Sequence, residues 1–206
     1  MKEYKLPIGC DVPETIILAD GDFPSHPLAL EWLRQCPYVV CCDGAANTYI
    51  RSGRMPEAIV GDGDSLLPDI KERYASLIHS EAEQETNDLS KAFRFCLSQE
   101  RKRITIMGAT GKREDHTIGN VSLLADYMEQ AEVSMMTDYG IFVPIREDSM
   151  FESYIGQQIS VFNMNSTALS AEGLAYPLSV FTNWWQGTLN EALARHFMAH
   201  PINLGD

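Results

Sequence analysis

Short apolar runs alternating with longer amphipathic segments, sustained through about residue 137, constrain this chain more than any other feature. Six runs read as strands: Thr15–Ala19, Tyr38–Cys42, Ala58–Gly61, Leu77–His79, Ile104–Gly108 and Val133–Thr137. Several are rich in β-branched residues and apolar at nearly every position, the pattern of strands covered on both faces. Candidate helices lie between them at Pro27–Gln35, Ala45–Ser52, Pro68–Tyr74, Asp88–Gln99 and Thr117–Gln130. Pro27 and Pro68 suit first-turn positions, where a missing N–H costs little. Repeated strand–helix–strand units predict an α/β fold, a three-layer N-terminal domain around a largely parallel sheet.

Beyond residue 140 the pattern changes. Phe142–Ile145, Gln158–Phe162 and Leu178–Phe181 are short strand-like pieces separated by turn residues, and they predict a small C-terminal antiparallel β unit. The expected boundary falls near residues 138–146, where Tyr139-Gly140 follows the last alternating unit. A chain of 206 residues has room for such a main domain and a smaller companion.

Sixteen Lys and Arg against 29 Asp and Glu give a formal charge of −13, which argues against a surface built for nucleic acid. An acidic protein that binds a nucleotide needs a divalent cation and a few local basic groups. The five cysteines are odd in number and contain no CxxC pair, so buried reduced thiols are expected. The segment through Glu14 has no apolar core of a signal peptide, and no run approaches the ~20 apolar residues of a membrane span. No membrane association and a cytoplasmic location are the corresponding expectations.

In an open parallel sheet, ligands bind beyond the carboxyl ends of the strands, where loops and helix N-termini converge. Asp20 and Asp22 follow the first predicted strand, Asp43 the second, Asp62 and Asp64 the third, and Asp115 lies just after the fifth. Asp62 and Asp64 alternate across Gly63, so an extended loop aims both at one hard cation. Alone, Gly61–Ser65 reads equally as an Asx-turn or a helix cap. Its neighbours favour a metal and phosphate site. Asp88 and Lys91, three residues apart, share a face near the positive end of a helix entered at about Asn87 or Asp88. The carboxylate suits a metal shell and Lys91 a phosphate oxygen, although by itself the segment is a capped helix with a surface ion pair. Gly108-Ala109-Thr110-Gly111-Lys112-Arg113-Glu114-Asp115-His116 runs from a buried strand toward the helix carrying Asn120. Its glycines let backbone N–H groups approach an anion, and Lys112 and Arg113 add local positive charge. It is not a Walker A loop, because the spacing before Lys112 is too short and Arg113 stands where Ser or Thr is required. His116, taken alone, reads as a histidine bonded to its own loop.

Taken in order, Asp43–Asn47, Gly61–Ser65, Gln84–Asp88 with Lys91, and Gly108–Arg113 with Asp115, His116 and Asn120 resemble the thiamine pyrophosphokinase family. Glu172–Leu178 and Gly187–Glu191 look like that family's thiamine-side motifs, so the likeness spans nearly the whole chain. The resemblance implies a catalytic α/β domain over residues 1–140, which binds nucleotide and metal, and a β-sandwich-like, thiamine-binding domain over residues 141–206. It also implies a homodimer with thiamine sites between subunits, Mg2+ as cofactor, and the reaction ATP + thiamine → AMP + thiamine diphosphate. Asp62, Asp64 and Asp88 match the metal positions. Asp43, Gln84, Lys91, Arg113 and Asp115 match the substrate and phosphate pocket, and Lys112, His116, Asn120 and Asn190 lie in the same ligand motifs. Asp115 or Asp43 would orient the attacking hydroxyl or accept its proton, and the sequence does not choose between them. Trp184 and Trp185 could lay an indole against the cationic thiamine or fill the small domain's core. Leu189 stands where the family usually has Ser, Glu85 where it has Asp, and Gly63 where it has an aromatic residue. Two further readings are a related pyrophosphokinase acting on another heterocyclic alcohol, such as a pterin, and a catalytically silent nucleotide- or thiamine-diphosphate-binding homologue. The presence of Asp62, Asp64 and Asp88 weighs against the silent one.

Overall fold

A computed structural model describes residues 1–7, 11–81, 83, 85–164, 168–175, 178, 184–188 and 196–202. Its contacts divide the chain into residues 9–144 and a second unit of residues 1–8 with 145–206. The first strand, β1 (Lys2–Tyr4), belongs to the second unit. The larger unit follows as β2 (Thr15–Leu18), α1 (Pro27–Gln35), β3 (Val39–Cys42), α2 (Ala45–Arg51), β4 (Ala58–Gly61) and α3 (Pro68–Arg73). It continues with β5 (Ile78–Ser80), α4 (Asp88–Ser98), β6 (Arg103–Met107), α5 (Glu114–Tyr127), β7 (Glu132–Met136) and β8 (Ile141–Phe142).

These strands form one seven-stranded sheet in the order β5-β4-β3-β2-β6-β7-β8, parallel except for the last pair. Successive residues of a strand point to opposite faces, so each apolar run feeds two cores at once. Ile17, Val40, Cys42, Val60 and Ile106 join Phe93 of α4 and Leu124 of α5 on one face. Ile16, Leu18, Val39, Cys41 and Ile59 join Trp32 of α1, Tyr49 of α2 and Ile70 of α3 on the other. The result is the expected three-layer α/β arrangement. Pro27 and Pro68 open their helices, as their missing N–H predicts.

The strand expected over Phe142–Ile145 of the small unit lies instead at Ile141–Phe142, where β8 pairs antiparallel with β7 through Met135–Phe142 and Met136–Ile141 and closes the large sheet. The last large helix was predicted to start at Thr117, but α5 starts at Glu114, where Glu114 and Asp115 in its first turn complement the positive end of the helix.

The second unit is all β: β9 (Ser149–Glu152), β10 (Gln158–Phe162), β11 (Ala168–Glu172), β12 (Trp184–Thr188) and β13 (His196–Ile202) accompany β1. A four-stranded sheet runs β1-β9-β13-β11, and β10 pairs antiparallel with β12. Ile159 of β10 packs with Phe151 of β9 and Leu169 and Ala171 of β11 around Leu174, so both sheets contribute to one core. The sequence reading did not assign β1, which lies parallel to β9 with Tyr4 stacked on Phe151 at 4.7 Å between ring centroids. Of the predicted strand at residues 178–181, residues 179–181 lie outside the described residues.

Candidate functional site

The strand order reverses between β2 and β6: the chain winds outward from β2 to β5, then returns through α4 to β6 on the other side. A parallel sheet opens a crevice at such a switch point. The loops leaving β2 and β6 are tied there, Gly21 N–H donating to Gly108 O at 2.6 Å and Asp22 N–H to Thr110 O at 2.8 Å. A Cβ at Gly21 would stand 2.3 Å from Thr110 O and 2.4 Å from Gly108 O, so only glycine permits this approach.

Next to this crevice, Asp43 leaves β3 with φ +30°, an uncommon backbone for a residue with a side chain. Its side chain is buried. Oδ2 accepts from the backbone N–H of Ser65 at 2.9 Å, whereas Oδ1 has no partner among the described residues. The Gly61–Ser65 loop lies against it, and Asn47 of α2 clamps that loop by donating to Ser65 O at 2.8 Å and accepting from Leu67 N–H at 3.0 Å. Asn47→Ala is expected to lower stability by about 1–2 kcal/mol, read from urea midpoints, because both loop groups lose their partner. Within the loop, Asp64 N–H donates to Asp62 Oδ1 at 3.0 Å, which is the Asx-turn the sequence also allowed. Lys71 of α3 holds Gly63 O at 2.9 Å, and Asp64 lines an open cleft with Leu66, Pro68, Lys71 and Glu72.

The entry of α4 supplies the opposite wall. Asn87 is the N-cap, its side-chain oxygen accepting from Ser90 N–H at 2.9 Å. Lys91, only 3% exposed, reaches Asp88 Oδ1 at 3.2 Å. Asn120 of α5 is buried, donating to Ala109 O at 2.8 Å and accepting from Asn87 Nδ2 at 3.1 Å.

The basic groups of the glycine loop are not free. Lys112, itself at φ +55°, donates to Asp20 O at 2.9 Å and to Asp20 Oδ1 at 3.1 Å. Arg113 Nε donates to Asp115 Oδ1 at 3.0 Å, and that hydrogen bond holds the Asp115 carboxyl down at about 2. Both partners are exposed, Arg113 as the N-cap of α5 and Asp115 in its first turn, with His116 beside them. In this arrangement Asp115 is the charge partner of Arg113. Asp43 is the reverse case: burial raises its pKa, with the charges of Asp88 and Asp62 adding to the rise against the bonds from Ser65.

The charges of Asp88 and Asp62 both act against that of Asp43, one buried carboxylate oxygen is unpartnered among the described residues, and all the donors are hard oxygens, so a small divalent cation fits the site in charge and chemistry. No three such groups are gathered tightly enough to enclose an ion among the described residues. Mg2+ does not require that, since it is commonly bound through one or two carboxylates, with phosphate oxygens and water completing the octahedron.

Gln84 and Asn190 lie outside the described residues, and Trp184 and Trp185 are described only as the backbone of β12, opposite Phe162 and Val161. Sequence reasoning missed the clamping role of Asn47, the tether from Lys71 and the outward amide of Asn87. Asn87 carried a capping signal and Asn47 lay inside a recognised motif, but their partners are 18 and 33 residues away in the chain. No local pattern shows that.

The sequence matches "Thiamin pyrophosphokinase, catalytic domain" over residues 29–136 and "Thiamin pyrophosphokinase, substrate-binding domain" over residues 140–202. It is 30% identical over 129 residues to thiamine pyrophosphokinase 1 of Oryza sativa subsp. japonica, an alignment covering 50% of this chain and 49% of that protein. It is 34% identical over 86 residues to thiamine pyrophosphokinase of Bacillus subtilis, covering 40% of each. The chain thus spans about half the length of the rice relative it matches. In fold it is similar to thiamin pyrophosphokinase from Candida albicans, with a TM-score of 0.70 at 17% identity over 97% of this chain and 89% of that one. The yeast enzyme gives 0.64 at 14% identity over 98% and 91%. With both domain descriptions matched in order across residues 29–202, the chain belongs to the thiamin pyrophosphokinase family.

Proposed function

We propose that this protein transfers a pyrophosphoryl group from ATP to the hydroxyl of thiamine, releasing AMP and thiamine diphosphate. The observation that carries the reading is the grouping of Asp43, Asp62 and Asp88 with buried Lys91 at the strand exits beside the switch-point loops. In this reading the hydroxyl oxygen attacks the β-phosphorus in line, and the bond to the α-side oxygen breaks, so AMP leaves with the bonding electrons. The hydroxyl proton passes to Asp43, whose raised pKa and unpartnered oxygen among the described residues suit a proton acceptor. Lys91 turns from Asp88 toward the phosphates, and Lys112 and Arg113 exchange their carboxylate partners for phosphate oxygens as charge develops. Mg2+, held by Asp62, Asp64 and Asp88, would neutralise phosphate charge when bound. Thiamine would be received by the second unit, with Trp184 or Trp185 against it, and a homodimer would complete its site. A cytoplasmic setting completes the reading, which the free thiols of Cys36, Cys41, Cys42 and Cys96 suit.

The test is incubation with ATP, Mg2+ and thiamine. AMP and thiamine diphosphate should appear in equal amounts. ADP in place of AMP, or AMP formation with a pterin alcohol but not with thiamine, would reject the assignment.

A further inference from the structure

We infer that Asn87 and Asn120 form a directional amide relay that fixes the glycine loop relative to the first turn of α4, making Asn87 and Asn120 positioning residues. This rests on the functional reading above only for which groups the relay positions.

The two ends of the relay dictate its polarity. At one end Ala109 O, in the loop after β6, can only accept, so Asn120 must present its NH2 group there, at 2.8 Å. Asn120 Oδ1 then points the other way and requires a donor, which Asn87 Nδ2 supplies at 3.1 Å. That orientation leaves Asn87 Oδ1 facing Ser90 N–H at 2.9 Å, an N–H that the start of a helix leaves without an intrahelical acceptor. Each amide is thus set by the next, and neither can flip without breaking two bonds. Asn120 is 7% exposed, and both ends of its amide are committed to the protein. What the relay joins is the loop that begins at Gly108 with φ +64° and the helical turn bearing Asp88 and Lys91. The gap between phosphate-side and metal-side groups depends on these bonds.

Ser at position 87 keeps an N-cap oxygen for Ser90 but removes the amide that reaches Asn120. Asn87→Ser should therefore keep the helix cap, lower the melting temperature only modestly through the acceptor left open on Asn120, and displace the backbone amide resonances of Gly108 and Gly111 in 15N–1H spectra. Its kcat for AMP formation should fall about tenfold, with KM for thiamine unchanged, since misplacing reacting groups by a fraction of an ångström costs rate, not binding. Tyr127→Phe is the control. It cuts the other bond between the same helices, Ser90 Oγ to Tyr127 OH at 2.8 Å, and should lower stability without moving the loop resonances or kcat. Unmoved Gly108 and Gly111 resonances in Asn87→Ser would overturn the relay, whatever the substrate. Moved resonances with unaltered kcat would overturn its positioning role. Moved resonances in a protein whose wild type forms no thiamine diphosphate would uphold the relay and reject the pyrophosphokinase reading instead.

Discussion

Asp43→Asn should reduce AMP formation by about 10²–10⁴-fold while leaving the melting temperature unchanged or raised. The two effects share one cause. The carboxylate is buried, one of its oxygens has no partner among the described residues, and it faces the charges of Asp88 and Asp62. Such a group is costly as an anion and useful as a proton acceptor. Asparagine keeps an oxygen for Ser65 N–H and removes the charge, so the fold keeps its bond and loses a repulsion. Because burial raises the folded-state pKa above 3.8, the native protein binds this proton more tightly than the unfolded chain does. Stability contributed here is present below 3.8 and is lost as pH rises through the folded value, a slope that Asp43→Asn should flatten. Retained AMP formation in Asp43→Asn would remove Asp43 from the mechanism. A clear drop in melting temperature would show its charge to be stabilising.

The largest stability effect is expected from Phe93→Ala, at about 3–5 kcal/mol measured by chemical denaturation. Phe93 is 1% exposed on the sheet-facing side of α4, and its ring stacks on Tyr127 of α5 with centroids 3.9 Å apart and planes 13° from parallel. Removing it opens a cavity beneath the helix whose first turn carries Asp88 and Lys91, so activity should fall even where the protein remains folded. Against a typical total of 5–15 kcal/mol, such a loss leaves little margin. A cost under about 1 kcal/mol would mean that α4 is held by something other than this core contact.

The large domain was legible because its apolar runs are long and continuous: Ile16–Leu18 and Val39–Cys42 carry the demand for burial on both faces in their own composition. The carboxylates at the strand exits were legible for the same reason, since a strand's end fixes where its next residue stands. Lys2–Tyr4 was not, because three residues with two charges have no period, and only a partner over 140 positions away makes them a strand. The segment from Phe142 to Ile145 differs in the opposite sense: its local pattern is that of a strand, but the observed strand is Ile141–Phe142 and its choice of sheet depends on the edge that β7 leaves open. Within the site, sequence supplied the residue types but not their pairing. Nothing local says that Lys112 closes on Asp20, 92 residues earlier, whereas Asp43 is left with an open oxygen among the described residues.

The parallel pairing of Lys2–Tyr4 with Ser149–Glu152 has a consequence for the order of assembly. The first strand leaves the ribosome long before its partner, and the whole of residues 9–144 is synthesised between them. The larger unit can collapse around its own sheet while the smaller one waits for residues near 150 and beyond. Once the larger unit has folded, its two ends no longer wander independently, and the entropy of closing so long a loop has largely been met. Residues 9–144 thereby act as an insertion that brings the edges of its host together. Changes that slow folding of the α/β unit should accordingly expose the unpaired edge of β9 for longer, and with it the surface most open to pairing with the wrong chain.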